Sequence, residues 1–185
     1  NRVIPLAFCV LKSKETACYR KALKHLKLRV RAVSGGTLNP QTIVCDFEIS
    51  LLNAAETEFP QAKIAGCFFH ICQAIWRHVQ QLGLARAYRR LPQVKKFIRR
   101  LMAMGYLPLA LVRINFFLMF QSNTVRRLFR RQPALRQLVD YFRRNYIDGN
   151  FRPRLWNVFE RGMNTRTNNH SEGWAVFMLC LWCVF

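Results

Sequence analysis

Acidic residues are scarce in this sequence: 9 Asp and Glu stand against 30 Lys and Arg in 185 residues, and the formal net charge is +21. So few acids exclude an acidic or neutral enzyme domain. Cations in such excess repel one another on a folded surface unless a polyanion neutralises them, which makes nucleic acid the leading class of partner. Because 51% of the residues are hydrophobic, we expect one globular domain with a buried core rather than disorder.

The sequence also lacks a long hydrophobic run, a disulfide framework and a flexible linker. Its longest apolar run, residues 175–185, is too short for a membrane-spanning helix, which needs about 20 residues, so we expect no membrane span. The seven cysteines show none of the spacings of small secreted domains, and we interpret them as reduced thiols. Without a Gly/Ser linker we expect one structural unit, and the start at Asn1 leads us to expect a piece of a longer protein.

The first half of the chain alternates between strand and helix patterns. Residues 2–11 (RVIPLAFCVL) are apolar and rich in branched side chains, which predicts a strand, and a helix is expected after Ser13 and Glu15. The later segments alternate in the same way, as a buried strand 42–45 (TIVC), a helix 49–59, a strand 62–67 (AKIAGC) and a helix 68–82. This order predicts an α/β fold with a parallel-rich sheet.

From about Leu84 onward the pattern is helical throughout. Nineteen basic residues and three acids fall in residues 86–166, so +16 of the net charge lies in this half. Pro92, Pro108 and Pro133 stand near the expected helix starts, where proline fits best. The candidates for contacts with nucleic acid are basic residues on these helices: Arg89, Arg90, Lys95, Lys96, Arg99, Arg100, Arg126, Arg127, Arg130 and Arg131.

Two acidic residues are candidates for metal-dependent chemistry. Asp46 follows the predicted strand 42–45, where open α/β sheets place functional side chains, although an N-cap for the next helix is the alternative. Glu172 lies in TRTNNHSEGW, where it could instead form a capping box with Asn169. Spacing alone favours the caps. Two carboxylates brought together by folding would bind Mg²⁺, whose preferred ligands are oxygen atoms, for phosphodiester chemistry.

A Cys-x-x-His pair, Cys67 and His70, opens the predicted helix 68–82, and Cys72 and His78 follow. Cysteine and histidine in such proximity suggest zinc, but no second, well-separated pair completes a tetrahedron. A buried thiol and a hydrogen-bonded imidazole are therefore the favoured interpretation.

The chain resembles the Mutator-like (MULE) transposase domain, one of the DDE/D transposases with an RNase H-like fold. The likeness covers about residues 3–174 and is carried by three segments, PLAFCVLKSKETACYRKALKHL, IVCDFEISLLNAAETEFPQAKIAGCFFHICQAIWRHVQQLGL and FERGMNTRTNNHSEGW. The resemblance implies an incomplete RNase H-like core with a basic, all-helical insertion at about residues 84–160. Residues 175–185 would then be an apolar tail outside the family.

The resemblance also implies roles for individual residues. Asp46 matches the second catalytic aspartate and Glu172 the terminal glutamate, which bind Mg²⁺ or Mn²⁺ in the family and cleave and join DNA strands. Cys67 and His70 match a signature near that active site. Asn168 and Asn169 are expected to orient Glu172 or to approach phosphate.

The first catalytic aspartate of the family has no counterpart, since no acid precedes Glu15. The resemblance therefore implies a partial transposase of the nucleus that acts on transposon ends and target DNA, with little or no strand transfer of its own, and it leaves homo-oligomerisation open. A non-enzymatic DNA-binding protein derived from a transposase is the alternative. A basic RNA-binding or ribosomal protein would fit the charge, but it would not explain the positions of Asp46 and Glu172.

Overall fold

The computed structural model describes residues 7–162, Arg166 and the backbone of Trp182–Val184. A short 3₁₀ turn, Met104–Tyr106, and a short π-helical turn, Arg143–Ile147, each follow directly on the end of a longer helix. The helices and strands in chain order are α1 (Thr16–Ser34), β1 (Thr42–Cys45), α2 (Ile49–Glu58), β2 (Lys63–Gly66), α3 (Phe68–Gln81), α4 (Ala85–Arg90), α5 (Pro92–Ala103), α6 (Leu109–Leu118), α7 (Asn123–Arg131), α8 (Ala134–Phe142), α9 (Pro153–Trp156) and β3 (Trp182–Val184).

The chain divides into two compact units rather than the one that the missing linker predicted. The first unit comprises residues 1–69 and 163–185, and the second comprises residues 70–162. The boundary at residue 70 falls in the first turn of α3, so a helix carries the chain from one unit into the other and no Gly/Ser linker is needed.

A small mixed sheet lies in the first unit, with the strand order β2-β1-β3. β2 pairs parallel to β1, with Cys45 opposite Gly66, and β3 pairs antiparallel to β1. The predicted strands 42–45 and 62–67 and the predicted helices after Glu15 and from Ile49 are confirmed to within two residues. An RNase H-like core stays a prediction, since a sheet of this size does not define that fold.

The predicted first strand, residues 2–11, is wrong over its described part, because residues 7–11 form no strand. A strand needs a hydrogen-bonded neighbour, and residues 7–11 pair with none of the three strands of the sheet. Residues 7–12 instead line one side of a groove of about 810 Å³ whose other side is α1. Val10 is 95% exposed there.

The core of the first unit lies between α1 and α2 and includes the buried residues of the sheet. Tyr19 and Leu23 of α1 are buried, as are Leu51 and Ala55 of α2. α1 ends at Gly35, whose φ of 68° is the left-handed conformation that glycine adopts without strain, and its N–H donates to the carbonyl oxygen of Arg31 at 2.9 Å.

The regular elements of residues 84–162 are all helices, as the sequence predicts. Pro92 is the first residue of α5, and Pro108 and Pro133 are the N-caps of α6 and α8, so the predicted helix starts are confirmed. None of the helices in the described part of the chain is long and apolar enough to cross a membrane.

Aromatic side chains fill the core of the second unit. Trp156 is 1% exposed, and its indole N–H donates to the carbonyl oxygens of Tyr146 and Phe151, both at 3.0 Å. Phe142 packs against Trp156 on one side and Phe116 on the other, with ring centroids 5.8 Å apart in both cases. These contacts hold α6, α8 and α9 together.

Candidate active site and nucleic-acid interface

The carboxyl ends of the two parallel strands form a common edge in the first unit. Asp46 follows β1 directly and is partly buried. The backbone N–H of Cys67, which follows β2, donates to the carbonyl oxygen of Cys45 at 2.8 Å. Asp46 and Cys67 therefore leave the sheet at the same edge, where functional side chains of open α/β sheets collect.

The N-cap interpretation of Asp46 is wrong. α2 begins at Ile49, and its N-cap is Glu48, which makes no side-chain capping hydrogen bond. Asp46 precedes this N-cap by two residues, so it is not the cap of α2.

The sequence suggests that Glu48 could share the face of Asp46 if the strand continued, but it does not reveal the pairing of Glu48 with Tyr19. The Tyr19 hydroxyl donates to Oε1 of Glu48 at 2.8 Å, and Nζ of Lys14 lies 3.7 Å from Oε2. Burial raises the pKa of Tyr19, and the hydrogen bond and charge of Glu48 and the charge of Asp46 raise it further. Both carboxylates thus act on one buried hydroxyl, which remains protonated and able to donate.

The chain returns to this edge shortly before the asparagine pair. The backbone N–H of Phe68 donates to the carbonyl oxygen of Arg166 at 2.9 Å. Asn168, Asn169 and Glu172 lie outside the described residues. Glu172 follows Arg166 by six residues, which span at most about 20 Å when fully extended.

The Cys-x-x-His pair flanks the start of α3. Cys67 is fully buried beside Val44 and Ala65, which confirms the buried thiol. His70 lies in the first turn of the helix and is partly buried. His78, further along α3, has Nδ1 at 3.1 Å from Oε1 of Gln81 and stacks on Tyr141 with centroids 3.9 Å apart.

No group of three or more Cys, His, Asp or Glu side chains in the described residues is placed to hold a metal ion. For Mg²⁺ or Mn²⁺, Asp46 is the described candidate ligand, and the other expected ligand, Glu172, is outside the described residues. The described residues therefore do not by themselves make a complete metal site.

The second unit presents the ten predicted basic residues to solvent. All ten are exposed, two on α4, four on α5 and four on α7. The sequence has no Asp or Glu between Glu58 and Asp140, so these helices contain no acid of their own. Among the described residues, none of the ten side chains forms an ion pair, and the ion pairs of this unit belong to Arg113 and Arg143, both with Asp148.

Aromatic contacts fix α5 and α7 so that their basic sides point outward. Phe97 of α5 is 3% exposed and meets Phe129 of α7 edge to face, with centroids 5.4 Å apart. α7 begins at a Ser122 cap, whose Oγ accepts from the N–H of Val125 at 3.2 Å. The apolar sides face inward, and the lysines and arginines are what remains at the surface.

Part of this site lies in a segment that matches a known protein family. The family model of the MULE transposase domain matches residues 1–74, which include Asp46, Cys67 and His70. Comparison with curated proteins and with solved structures finds no match. Residues 75–185, with most of the helical unit and Glu172, lie outside the matched segment. Residues 1–74 are therefore the part of this chain that matches the MULE transposase domain, and over this segment the resemblance recognised in the sequence is confirmed.

Proposed function

We propose that this protein is a transposase-derived DNA-binding protein and that its helical unit holds the DNA. One observation carries the proposal: ten exposed basic side chains lie on helices without acids, and none forms an ion pair among the described residues. Basic side chains that form no ion pair within the described part of the protein can neutralise DNA phosphates instead. The release of counterions from the DNA then drives binding. Phosphate contacts of this kind position the protein without reading sequence.

The salt dependence of DNA affinity tests this proposal. Binding of a fluorescent duplex is measured over a range of salt concentrations for the protein and for the quadruple variant Arg126→Ala, Arg127→Ala, Arg130→Ala, Arg131→Ala. The slope of log K against log salt is negative, and each lost phosphate contact reduces its magnitude by about 0.9. Loss of all four contacts therefore reduces the magnitude by about 3.6.

The matched control removes four exposed cations from the first unit: Lys12, Lys21, Arg29 and Arg31. We expect it to change the slope by much less than the α7 variant does. An equal change in both variants would show that any four cations serve and would contradict a specific interface. Tighter binding of an RNA duplex than of the DNA duplex would favour the RNA-binding alternative instead.

A second candidate function is metal-dependent DNA strand cleavage at the carboxyl edge of the sheet. It is supported by the hydrogen bond from Phe68 to the carbonyl oxygen of Arg166, a residue six positions before Glu172, at the edge where Asp46 lies. Asp46 and Glu172 would hold Mg²⁺ or Mn²⁺, which supplies positive charge to a reacting phosphate when bound. Two carboxylates alone bind a divalent ion weakly, so we propose weak metal binding and little or no strand transfer by this chain, in a protein of the nucleus.

Manganese binding and plasmid nicking test this second function separately. We expect Asp46→Asn and Glu172→Gln each to weaken Mn²⁺ binding, measured by the loss of the free Mn²⁺ resonance signal, and nicking of supercoiled plasmid to stay near background. Glu56→Gln, on the exposed side of α2, is the control and should leave Mn²⁺ binding unchanged. Mn²⁺ binding that survives in Asp46→Asn would contradict the assignment of that residue.

A further inference from the structure

Helix α6 differs from the other helices of the second unit in being apolar on nearly every side. Arg113 and Asn115 are the polar residues in its sequence LALVRINFFL. One side is buried in the unit through Val112, at 0% exposure, and Phe116, at 1%. A helix that is hydrophobic around its whole circumference is normally covered on both sides. Among the described residues, the opposite side of α6 is therefore an apolar surface that is exposed to solvent.

That opposite side is a continuous apolar stripe. Leu111, Ile114 and Leu118 follow one another at helical spacing and are 43%, 55% and 52% exposed, and Phe117 beside them is 42% exposed. We call these four residues the α6 face. Single exposed hydrophobic residues are common on protein surfaces, but a contiguous stripe marks a site of interaction.

A groove of about 380 Å³ adjoins the α6 face where α6 runs past the end of α5. Its apolar lining includes Met104, Leu107, Leu118 and Met119, and methionine side chains adapt easily to the shape of a bound side chain. Arg100, an exposed residue of α5, lines the same groove and gives it positive charge. The groove is concave and apolar, and it can take up one large hydrophobic side chain.

The net positive charge around the α6 face determines which kind of partner can bind there. No acid occurs between Glu58 and Asp140, and Asp148 is held by Arg113 at 2.7 Å and by Arg143 at 2.8 Å. A second copy of this chain would bring like charges together at this surface, whereas an acidic partner would be attracted to it.

We infer that the α6 face and its groove bind an acidic amphipathic helix of another protein. Such a helix has apolar residues at i, i+3, i+4 and i+7, one of which enters the groove, while its carboxylates meet Arg100 and the basic helices around the site. Arg100 belongs both to this groove and to the basic residues of α4, α5 and α7 to which DNA binding is assigned.

Fluorescence anisotropy of a labelled synthetic peptide tests the inference on the full chain. The peptide has about 18 residues, enough for five helical turns, with Leu at the apolar positions and Glu and Ala elsewhere. We expect saturable binding that weakens roughly fivefold in Ile114→Ser, because the exposed half of the Ile114 side chain is what a bound helix would bury. Gln137→Ser, at an exposed polar position of α8, is the matched control and should bind as the unaltered protein does.

Three outcomes would overturn the inference. Equal binding of a peptide with Ser in place of Leu would show that the basic helices attract any acidic chain without use of the α6 face. Sedimentation that shows a dimer, lost in Ile114→Ser, would identify a second copy as the occupant. Binding to vesicles rich in phosphatidylserine that depends on Ile114, with no peptide binding, would identify a membrane surface instead. Unchanged DNA affinity of Ile114→Ser confirms that the variant is folded.

Discussion

The hydroxyl of Tyr19 on α1 donates a hydrogen bond of 2.8 Å to the carboxylate of Glu48, three residues beyond the end of β1. Tyr19 is 1% exposed, whereas the Glu48 side chain is 28% exposed. The bond fixes α1 to the carboxyl edge of the sheet and sets the position of Glu48 beside the segment that begins with Asp46. A buried residue of one helix thereby determines how part of the candidate active site faces solvent.

Replacing Tyr19 with Phe removes this hydrogen bond and should lower the free energy of unfolding by about 1 kcal/mol. The pKa of Tyr19 is raised above its ordinary value of 10.0, first by burial and then by Glu48 and Asp46. Because the fold favours the protonated hydroxyl, its contribution is complete below about pH 10 and is lost as the pH rises further. Urea unfolding at about pH 8 and about pH 10.5 should therefore show a smaller alkaline loss in Tyr19→Phe.

The exposed residue Tyr106 provides the control, as Tyr106→Phe should keep the full alkaline loss of stability. Tyr146 in the second unit also has a pKa raised by burial and by Tyr141, so part of the alkaline loss persists in both variants. An unchanged alkaline loss in Tyr19→Phe would contradict the proposed link between Tyr19 and the two carboxylates.

Glu58 is a buried carboxylate whose charge is compensated by α1. Arg20 donates to it at 2.9 Å, and Lys27 donates to its other carboxylate oxygen at 3.1 Å and to its backbone carbonyl at 2.7 Å. Burial by itself raises the pKa of Glu58, but the hydrogen bonds from Arg20 and Lys27 and the charges of Lys27 and Lys24 outweigh it, so the pKa lies below its ordinary value of 4.5.

A lowered carboxyl pKa means that Glu58 stabilises the fold above about pH 4.5, and that this contribution is lost as the pH falls through the lowered value. Glu58→Gln should cost about 1–3 kcal/mol at neutral pH and should weaken the acid dependence of unfolding below about pH 4.5. Denaturant unfolding followed by circular dichroism measures both effects. The exposed Glu56→Gln should change neither, and equal behaviour of the two variants would contradict the role of Glu58.

Gly149 lies where the chain turns after the π-helical segment, close to the backbone of the preceding turn. A Cβ at this position would overlap the carbonyl oxygen of Arg144 and lie 3.0 Å from that of Asn145. Gly149→Ala should therefore shift the backbone and lower the free energy of unfolding by about 1–3 kcal/mol. Thermal unfolding measures the change, and Gly162→Ala, whose Cβ would meet nothing within 4 Å, should unfold like the unaltered protein.

Ser122 links helix stability to the proposed DNA interface, because it caps the helix that carries four of the ten basic residues. Ser122→Ala should cost about 1 kcal/mol of local stability at the start of α7. We expect faster amide hydrogen exchange at Val125. We also expect weaker DNA binding, because a frayed helix no longer holds its four arginines in a fixed arrangement. Thr124→Ala, at an exposed non-capping position of the same helix, should leave both measurements unchanged.

The elements that the sequence predicts best are those whose signals are local. β1 is predicted to the residue because a short apolar run, TIVC, is bounded by Pro40 and Asp46. α5 is predicted from Pro92 because proline fits the first turn of a helix and no later position in it. Residues 7–11 have an equally apolar sequence and form no strand, since a strand also depends on pairing with a neighbour, and this segment pairs with none in the sheet.

In the candidate site, too, the features that depend on local sequence were predictable and those that depend on distant residues were not. The position of Asp46 after β1 follows from the sequence, but its freedom from capping depends on where α2 begins. Tyr19 with Glu48, and Arg20 with Glu58, are pairs separated by 29 and 38 residues, and no spacing rule predicts them. The placement of Glu172 beside Asp46 stays a prediction, supported by the contact between Phe68 and Arg166.

By itself, the sequence determined the charge, the helices and strands from α1 to α3, and the MULE resemblance, because composition, periodicity and short motifs depend on neighbouring residues. Only the tertiary structure decided that the chain forms two units, that all ten basic residues stay exposed and that one side of α6 has no cover. Burial and pairing depend on contacts between residues far apart in the chain, and the packing of the whole unit sets those contacts.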